Sequence, residues 1–170
     1  IGAHVTDILL KKNRNVFLID NLSTGHRKLI NSKAKFFKID IKNKQKVKKI
    51  IEKYKIDSII HLAANLIIGE GQRKPNKYYK NNVLGTKKLL DACKDTTIKN
   101  FIFSSTAAIY KEGQYKVSEN SIIKPKSVYG QTKIKAEKII KSFAKKNKIN
   151  YGILRYFNIA GASLSGKIGL

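Results

Sequence analysis

The chain has 170 residues and a mass of 19.2 kDa, with 42% apolar and 28% charged residues. That is the size of one domain, apolar enough to build a core rather than stay disordered, and no apolar run reaches the length of a membrane span. The formal charge of +25 invites a polyanion as partner, but 32 of the 36 basic residues are Lys and only Arg14, Arg27, Arg73 and Arg155 are Arg. Base readers depend on the bidentate fork of Arg. The lysines are also spread along the whole chain, so a solvated surface is the favoured reading and no nucleic-acid partner is expected. A basic nucleic-acid-binding domain stays as the alternative from another class. Its binding would weaken steeply with salt. A single cysteine, Cys93, excludes an internal disulfide and fits a reducing, cytoplasmic compartment. The chain starts at Ile1 without a methionine or a signal peptide, which reads as a fragment.

Taken in order, Ile1 to Asn13 reads as a helix with Val5, Ile8 and Leu9 on one side. Val16-Phe17-Leu18-Ile19 is a buried-strand run ending in Asp20, and Phe36-Phe37-Lys38-Ile39 is a second ending in Asp40. Val47, Ile50, Ile51 and Tyr54 then stand at i, i+3, i+4 and i+7, one face of a helix whose wet face is the lysine-rich stretch from Lys42 to Lys55. Ile59-Ile60-His61-Leu62 is a third strand. Pro75 suits the first turn of a helix, and Tyr79, Val83, Thr86, Leu90 and Cys93 form its apolar stripe. Phe101-Ile102-Phe103 is a fourth strand. Ala136, Ile139, Ile140 and Phe143 mark another helix, and Tyr151 to Tyr156 is a fifth strand. This alternation predicts βαβ units and an α/β, doubly wound parallel sheet. Its strands, as near-continuous apolar runs, are expected to be covered on both faces.

Ligands of open α/β sheets bind beyond the carboxyl ends of the strands. The distinctive residues gather there: Asp20, Asp40, Leu62-Ala63-Ala64, Ser104-Ser105-Thr106 and Phe157-Asn158. Asp20 lies eighteen residues after Gly2, the spacing of an acid that clamps a dinucleotide ribose and disfavours a 2′-phosphate. A plain turn aspartate in Asp20-Asn21-Leu22-Ser23-Thr24-Gly25 is the competing reading.

Tyr129 and Lys133 form a Tyr-x-x-x-Lys pair on one face of a helix. A phenol with a pKa near 10 is a poor base at neutral pH, and a neighbouring ammonium together with the positive ring of an oxidised nicotinamide cofactor would lower that value. Eight tyrosines among 32 lysines give roughly 1.5 such pairs by chance, so the weight of the pair comes from its place after Ser104-Ser105-Thr106. His61 reads as a core residue, and His4 and His26 as surface. None is spaced as a metal ligand. Asn81 and Asn82, which the apolar stripe skips, face a neighbouring element, a ligand or solvent.

Seven strings appear in one order: Ile1-Gly2-Ala3-His4, Asp20-Asn21-Leu22, His61-Leu62-Ala63-Ala64, Asn81-Asn82-Val83-Leu84-Gly85-Thr86, Phe103-Ser104-Ser105-Thr106-Ala107, Tyr129-x-x-x-Lys133 and Leu154 to Ala162. Together they resemble the extended short-chain dehydrogenase/reductases, the NAD-dependent epimerase/dehydratase family, and within it the sugar-nucleotide 4-epimerases. The resemblance implies a Rossmann-type domain over residues 1–170, roughly the N-terminal half of a longer epimerase. A first strand and glycine-rich turn would precede Ile1, and a smaller substrate domain would follow Leu170.

Residue by residue, the resemblance places Ile1 and Gly2 at the pyrophosphate of NAD. Asp20, Asn21, Leu22, Ser23, Thr24 and Gly25 would surround the adenosine ribose, with Asp40 and Ile41 beside the adenine. Leu62, Ala63, Ala64, Asn65 and Leu66 would line the middle of the cofactor, and Asn81 would hold its backbone. Thr106, Tyr129 and Lys133 would be the catalytic group, with Tyr129 and Lys133 also touching cofactor. Phe157 would meet nicotinamide; Thr106, Tyr129 and Asn158 would meet the UDP-sugar.

The implied reaction is inversion at C4 of a UDP-sugar, UDP-glucose and UDP-galactose, through a 4-keto intermediate. A UDP-pentose or UDP-hexosamine is the alternative substrate, and the implied assembly is a homodimer. Some relatives have Lys at Leu66 or Ser at Thr106. Sugar-nucleotide dehydratases carry Asp-Glu after the Thr, where Ala107 and Ala108 stand here; dehydration therefore lacks its acid and base.

Overall fold

The structure is a computed structural model that describes residues 1–113, 116–163, 166, 168 and 169. Helix α1 (Gly2–Lys11) precedes strand β1 (Phe17–Asp20) and strand β2 (Lys35–Lys38), followed by helix α2 (Lys44–Lys53) and strand β3 (Ser58–His61). Two short helices, α3 (Ile68–Arg73) and α4 (Pro75–Tyr78), lead through a π-helical turn (Tyr79–Leu84) into α5 (Gly85–Cys93). Strand β4 (Asn100–Ser104), helix α6 (Val128–Asn147) and strand β5 (Asn150–Leu154) complete the order. The five strands lie within one or two residues of the apolar runs, except that β5 stops at Leu154.

Every strand pairing is parallel, but the sheet comes in two pieces, β1-β2 and β3-β4-β5. Among the described residues β1 and β3 share no ladder, so each keeps one unpaired edge. The core is built on one face of β3-β4-β5, where Val47 and Ile51 of α2, Leu89 and Leu90 of α5, and Ala136 and Ile140 of α6 close over Phe101 and Phe103. On the other face Ile60 and Ile102 are partners in register, and with Leu154 they are 36–50% exposed. Since side chains alternate along a strand, the continuous apolar runs hide a one-sided burial. At the start of that open face Asn150 donates to Asn100 and Asn100 to Ser58, both at 3.1 Å, a polar row across three strands.

In the helical stripe from Tyr79 to Cys93, Val83, Thr86, Leu90 and Cys93 are buried as expected and only the first member departs. Tyr78 is fully buried and Tyr79 is 41% exposed. The cause is the wide turn at Tyr79–Leu84: i→i+5 bonding inserts an extra residue per turn and rotates the helix beyond it. Asn82 is thereby turned into the interior.

Helix α6 starts where Ser127, in extended conformation, accepts a hydrogen bond from the Gly130 N–H at 3.0 Å. It ends at Lys148, which adopts the left-handed conformation that closes helices. Loss of the N-cap in Ser127→Ala is expected to lower stability by about 1 kcal/mol. An unchanged urea midpoint would show that the cap contributes nothing.

Candidate active site

Asp20 closes β1, and its Oδ1 accepts the Leu22 N–H at 2.7 Å. The bend this makes puts Leu22 in the left-handed region and brings Gly25 so close that a Cβ there would stand 3.0 Å from Asp20 Oδ2. The side chain of Asn21 accepts from Ser23 N at 2.9 Å and donates to Asp40 Oδ2 at 3.2 Å, while Asp40 Oδ1 accepts from Lys42 N at 2.8 Å. Partial burial works against ionisation of Asp40, but the Lys42 amide, Asn21 and the Lys42 ammonium together hold its carboxyl below the ordinary range. Asp20, Asn21 and Asp40 therefore form one acidic corner over β1 and β2. Ser23 and Thr24 are exposed on its rim. Ile41 packs instead against the start of α5, 3.4 Å from where a Gly85 Cβ would be.

Gly2 sits by the third strand end, where a Cβ would lie 3.6 Å from Leu62, and Ile1 is exposed beside it. The loop from Leu62 to Leu66 is held from beneath by Asn82. Its Oδ1 accepts Asn65 N at 2.8 Å, and its Nδ2 donates to Asn65 O at 2.9 Å and to Thr132 Oγ1 at 3.1 Å. Ala63 and Leu66 are exposed, and Ala64 and Asn65 half-buried. Asn81 is half-buried and touches Asn82 at 3.4 Å.

Beyond β4, Thr106 caps a short turn by accepting from Ala108 N at 3.2 Å, and its hydroxyl is near enough to Tyr129 to favour the phenolate. Close approach of α6 makes this possible: a Cβ on Gly130 would lie 2.5 Å from the Ala108 carbonyl oxygen. A cavity of about 460 Å³ opens here, lined in part by Ile68, Gln72, Ala107, Ala108, Ser127 and Phe157. Phe157 is 68% exposed at its mouth and Asn158 is exposed past it.

Lys133 is only 1% exposed. Its ammonium stands 4.5 Å from the Phe103 ring centroid and 5.8 Å from that of Tyr129. Among the described residues it forms neither an ion pair nor a hydrogen bond. Burial lowers its pKa to about 8, and Glu137 works the other way. Burial raises the pKa of the Tyr129 phenol and the nearby Tyr156 adds to this, while the Thr106 hydroxyl works the other way. The Lys133 ammonium packs on rings rather than on the phenol oxygen, so by itself it does not offset that burial.

His61, expected in the core, is buried between the rings of Phe101 and Phe103 and bonds Thr86 Oγ1 at 2.9 Å. Burial, then the charge of Lys133, pushes its pKa down to about 3. Glu137 and Thr132 do not stand out in the sequence, and Ser105 and Arg155 stand there only as members of the strings around Thr106 and Leu154 to Ala162, with no role of their own. Only the position of Glu137 one helical turn past Lys133 could have drawn attention to it. No group of three or more metal-ligating side chains occurs among the described residues, and none of their helices is long and apolar enough to cross a membrane.

A one-directional parallel sheet with acidic, small and hydroxyl residues at its strand ends defines a nucleotide-binding type of α/β protein. Residues 1–168 match the NAD dependent epimerase/dehydratase family, and the chain belongs to that family. It is 43% identical over 170 residues to the UDP-glucose 4-epimerase of Lactobacillus helveticus, covering 99% of this chain and 52% of that protein. The crystal structure of UDP-glucose 4-epimerase from Brucella ovis in complex with NAD superposes with a TM-score of 0.94 at 37% identity, over 99% of this chain and 52% of that one. The UDP-Glc/GlcNAc 4-epimerase of Campylobacter jejuni gives 0.88 at 38% identity, over 96% and 52%. The chain spans about half the length of the curated relatives it matches.

The unfolded chain takes up a proton at His61 near the ordinary pKa of 6.5, but the fold resists it down to about 3. Stability from this residue is complete above pH 6.5. It falls by up to about 1.4 kcal/mol per pH unit as the pH drops towards 3. His61→Asn is expected to flatten that acid limb in urea denaturation; equal slopes for both proteins would remove His61 from it.

Proposed function

We propose that the protein acts as an NAD-dependent UDP-sugar 4-epimerase, with UDP-glucose and UDP-galactose as its substrate pair. The observation that carries this reading is Lys133: a side chain 1% exposed whose ammonium has neither a hydrogen bond nor an ion pair among the described residues, one turn along α6 from Tyr129. A cation left in that state favours a ligand that brings hydrogen-bond acceptors to it. The residues present therefore fit a dinucleotide. Lys133 would hold the nicotinamide ribose, Asp20 with the Asn21–Asp40 corner the adenosine end, and the Asn82-braced loop from Leu62 to Leu66 the middle. Gly2, Asn81 and Phe157 would complete the contact.

When bound, oxidised NAD supplies the hydride acceptor at C4 and a positive ring beside the phenol. Tyr129 would take the proton of the sugar 4-hydroxyl and give it back after the sugar has turned. Thr106 would hold the 4-oxygen in line with the phenol. Lys133 would keep a positive charge behind the phenolate and so offset the burial that otherwise disfavours it. Phe157 and Asn158, at the mouth of the cavity, would receive the sugar nucleotide. Ala107 and Ala108 offer no acid or base for elimination, which separates this reading from dehydration.

The test is conversion of UDP-galactose by the protein with NAD, with UDP-N-acetylgalactosamine and a UDP-pentose alongside. Tyr129→Phe is expected to lower turnover by at least about 10²-fold while NAD stays bound; near-normal turnover would refute the assigned base. Asp20→Ala is expected to weaken NAD and narrow its advantage over NADP, and an unchanged preference would take Asp20 away from the ribose.

A further inference from the structure

Glu137 is a carboxylate with none of its surface exposed. A charge so placed must be met by donors, and here the donors come from two strand ends. Arg155, just past β5, donates from Nη2 to Oε2 at 2.7 Å and from Nε to Oε1 at 3.1 Å. Ser105, just past β4, donates its hydroxyl to Oε1. Each partner then reaches a wall of the site. Ser105 is followed directly by Thr106, and its own N–H is fixed to the Leu154 carbonyl at 2.8 Å. Arg155 uses Nη1 to bond the Tyr110 hydroxyl at 3.2 Å and the Glu119 carbonyl at 3.1 Å. Tyr110 lines the cavity and pairs with Ile123 in an antiparallel bridge. On α6, Glu137 lies one turn past Lys133 and two past Tyr129.

We propose that Glu137 is a positioning residue: through Ser105 it fixes the Thr106 corner, and through Arg155 the Tyr110–Glu119 wall, against the helix face that carries Tyr129 and Lys133. The inference rests on the reading of that face as the site of a UDP-sugar reaction. A buried ion pair is a weak source of net stability, because desolvation offsets most of its Coulombic gain. Its geometry, with two strand ends and a cavity wall held by one carboxylate, is what the contact supplies. The charged and titratable groups around Lys133 are few. Tyr129 and Glu137 share its helix, His61 faces it from β3 and is neutral at neutral pH, and Arg155 stands behind Glu137 from the end of β5. Phe103 of β4 contributes only its ring.

Three variants separate the two arms. Ser105→Ala opens only the arm to Thr106 and is expected to lower kcat about tenfold while KM for UDP-galactose holds. Arg155→Lys cannot make the fork and reach Tyr110 and Glu119 together, so KM is expected to rise about tenfold with a smaller change in kcat. Glu137→Gln is expected to do both.

Lys133 is followed in parallel by NMR of ¹³Cε-lysine-labelled protein, which needs no turnover. Glu137→Gln removes the anion one turn away, so the Lys133 titration midpoint is expected to fall; Ser105→Ala is expected to leave it in place. Wild-type turnover with kcat, KM and midpoint unchanged in the folded variants overturns the proposal. A wild type that turns over no UDP-sugar, yet shows the midpoint shift in Glu137→Gln alone, refutes the proposed reaction and retains the bracket. Should Glu137→Gln fail to fold, the kcat-against-KM split between Ser105→Ala and Arg155→Lys decides.

Discussion

Inside α6, one carboxylate accepts hydrogen bonds from the ends of two neighbouring strands. Arg155 and Ser105 both terminate on Glu137, and the heights of Thr106, Tyr129 and the cavity wall are set by that junction. Parallel pairing alone brings β4 and β5 to a common level, since it fixes Ser104 against Leu154. It does not by itself fix the position of α6 along the sheet. A bidentate guanidinium and a short hydroxyl contact remove that freedom, because the fork tolerates little error in distance or angle. Breaking such a pair from one side leaves a buried charge unmet, at a cost of about 3–5 kcal/mol.

The same region shows two opposed treatments of positive charge. Most of the 32 lysines spend their chains at the surface, where water solvates the ammonium and α2 is a clear case. Lys133 is withdrawn from water and set against aromatic faces. Ring contacts recover part of the lost solvation, and burial lowers the affinity of Lys133 for its proton. The neutral state of His61 belongs to the same balance. A second cation so near Lys133 would find no anion to share, as Glu137 is already engaged by Arg155.

Much of this is legible in the residues. Strands show as short apolar runs because β-branched and aromatic side chains suit a pleated, buried row, and the strand-end rule then finds Asp20, Asp40 and Thr106. Three things are hidden for physical reasons. A parallel strand covered on one face reads like one covered on both when its outer residues, such as Ile60 and Ile102, are also apolar. The π-turn at Tyr79–Leu84 changes the period in mid-helix, so a stripe counted at 3.6 residues chooses Tyr79 where Tyr78 is buried. Glu137 carries no local pattern: its partners are 18 and 32 residues away, and only the fold brings them together. Tyr129 and Lys133 share a turn of α6, but spacing along a helix says nothing about whether the ammonium meets the oxygen or the ring.

The spacer inside Tyr-x-x-x-Lys is less free than its notation implies. Gly130 abuts the Ala108 carbonyl, so any side chain there would wedge the helix off the corner. Thr132 is engaged by Asn82 and by the Tyr129 carbonyl. Gln131, the second of the three spacer residues, is exposed at the helix surface. A fluorophore or spin label attached there would ride on the turn that carries Tyr129 and Lys133 while leaving its inner face untouched.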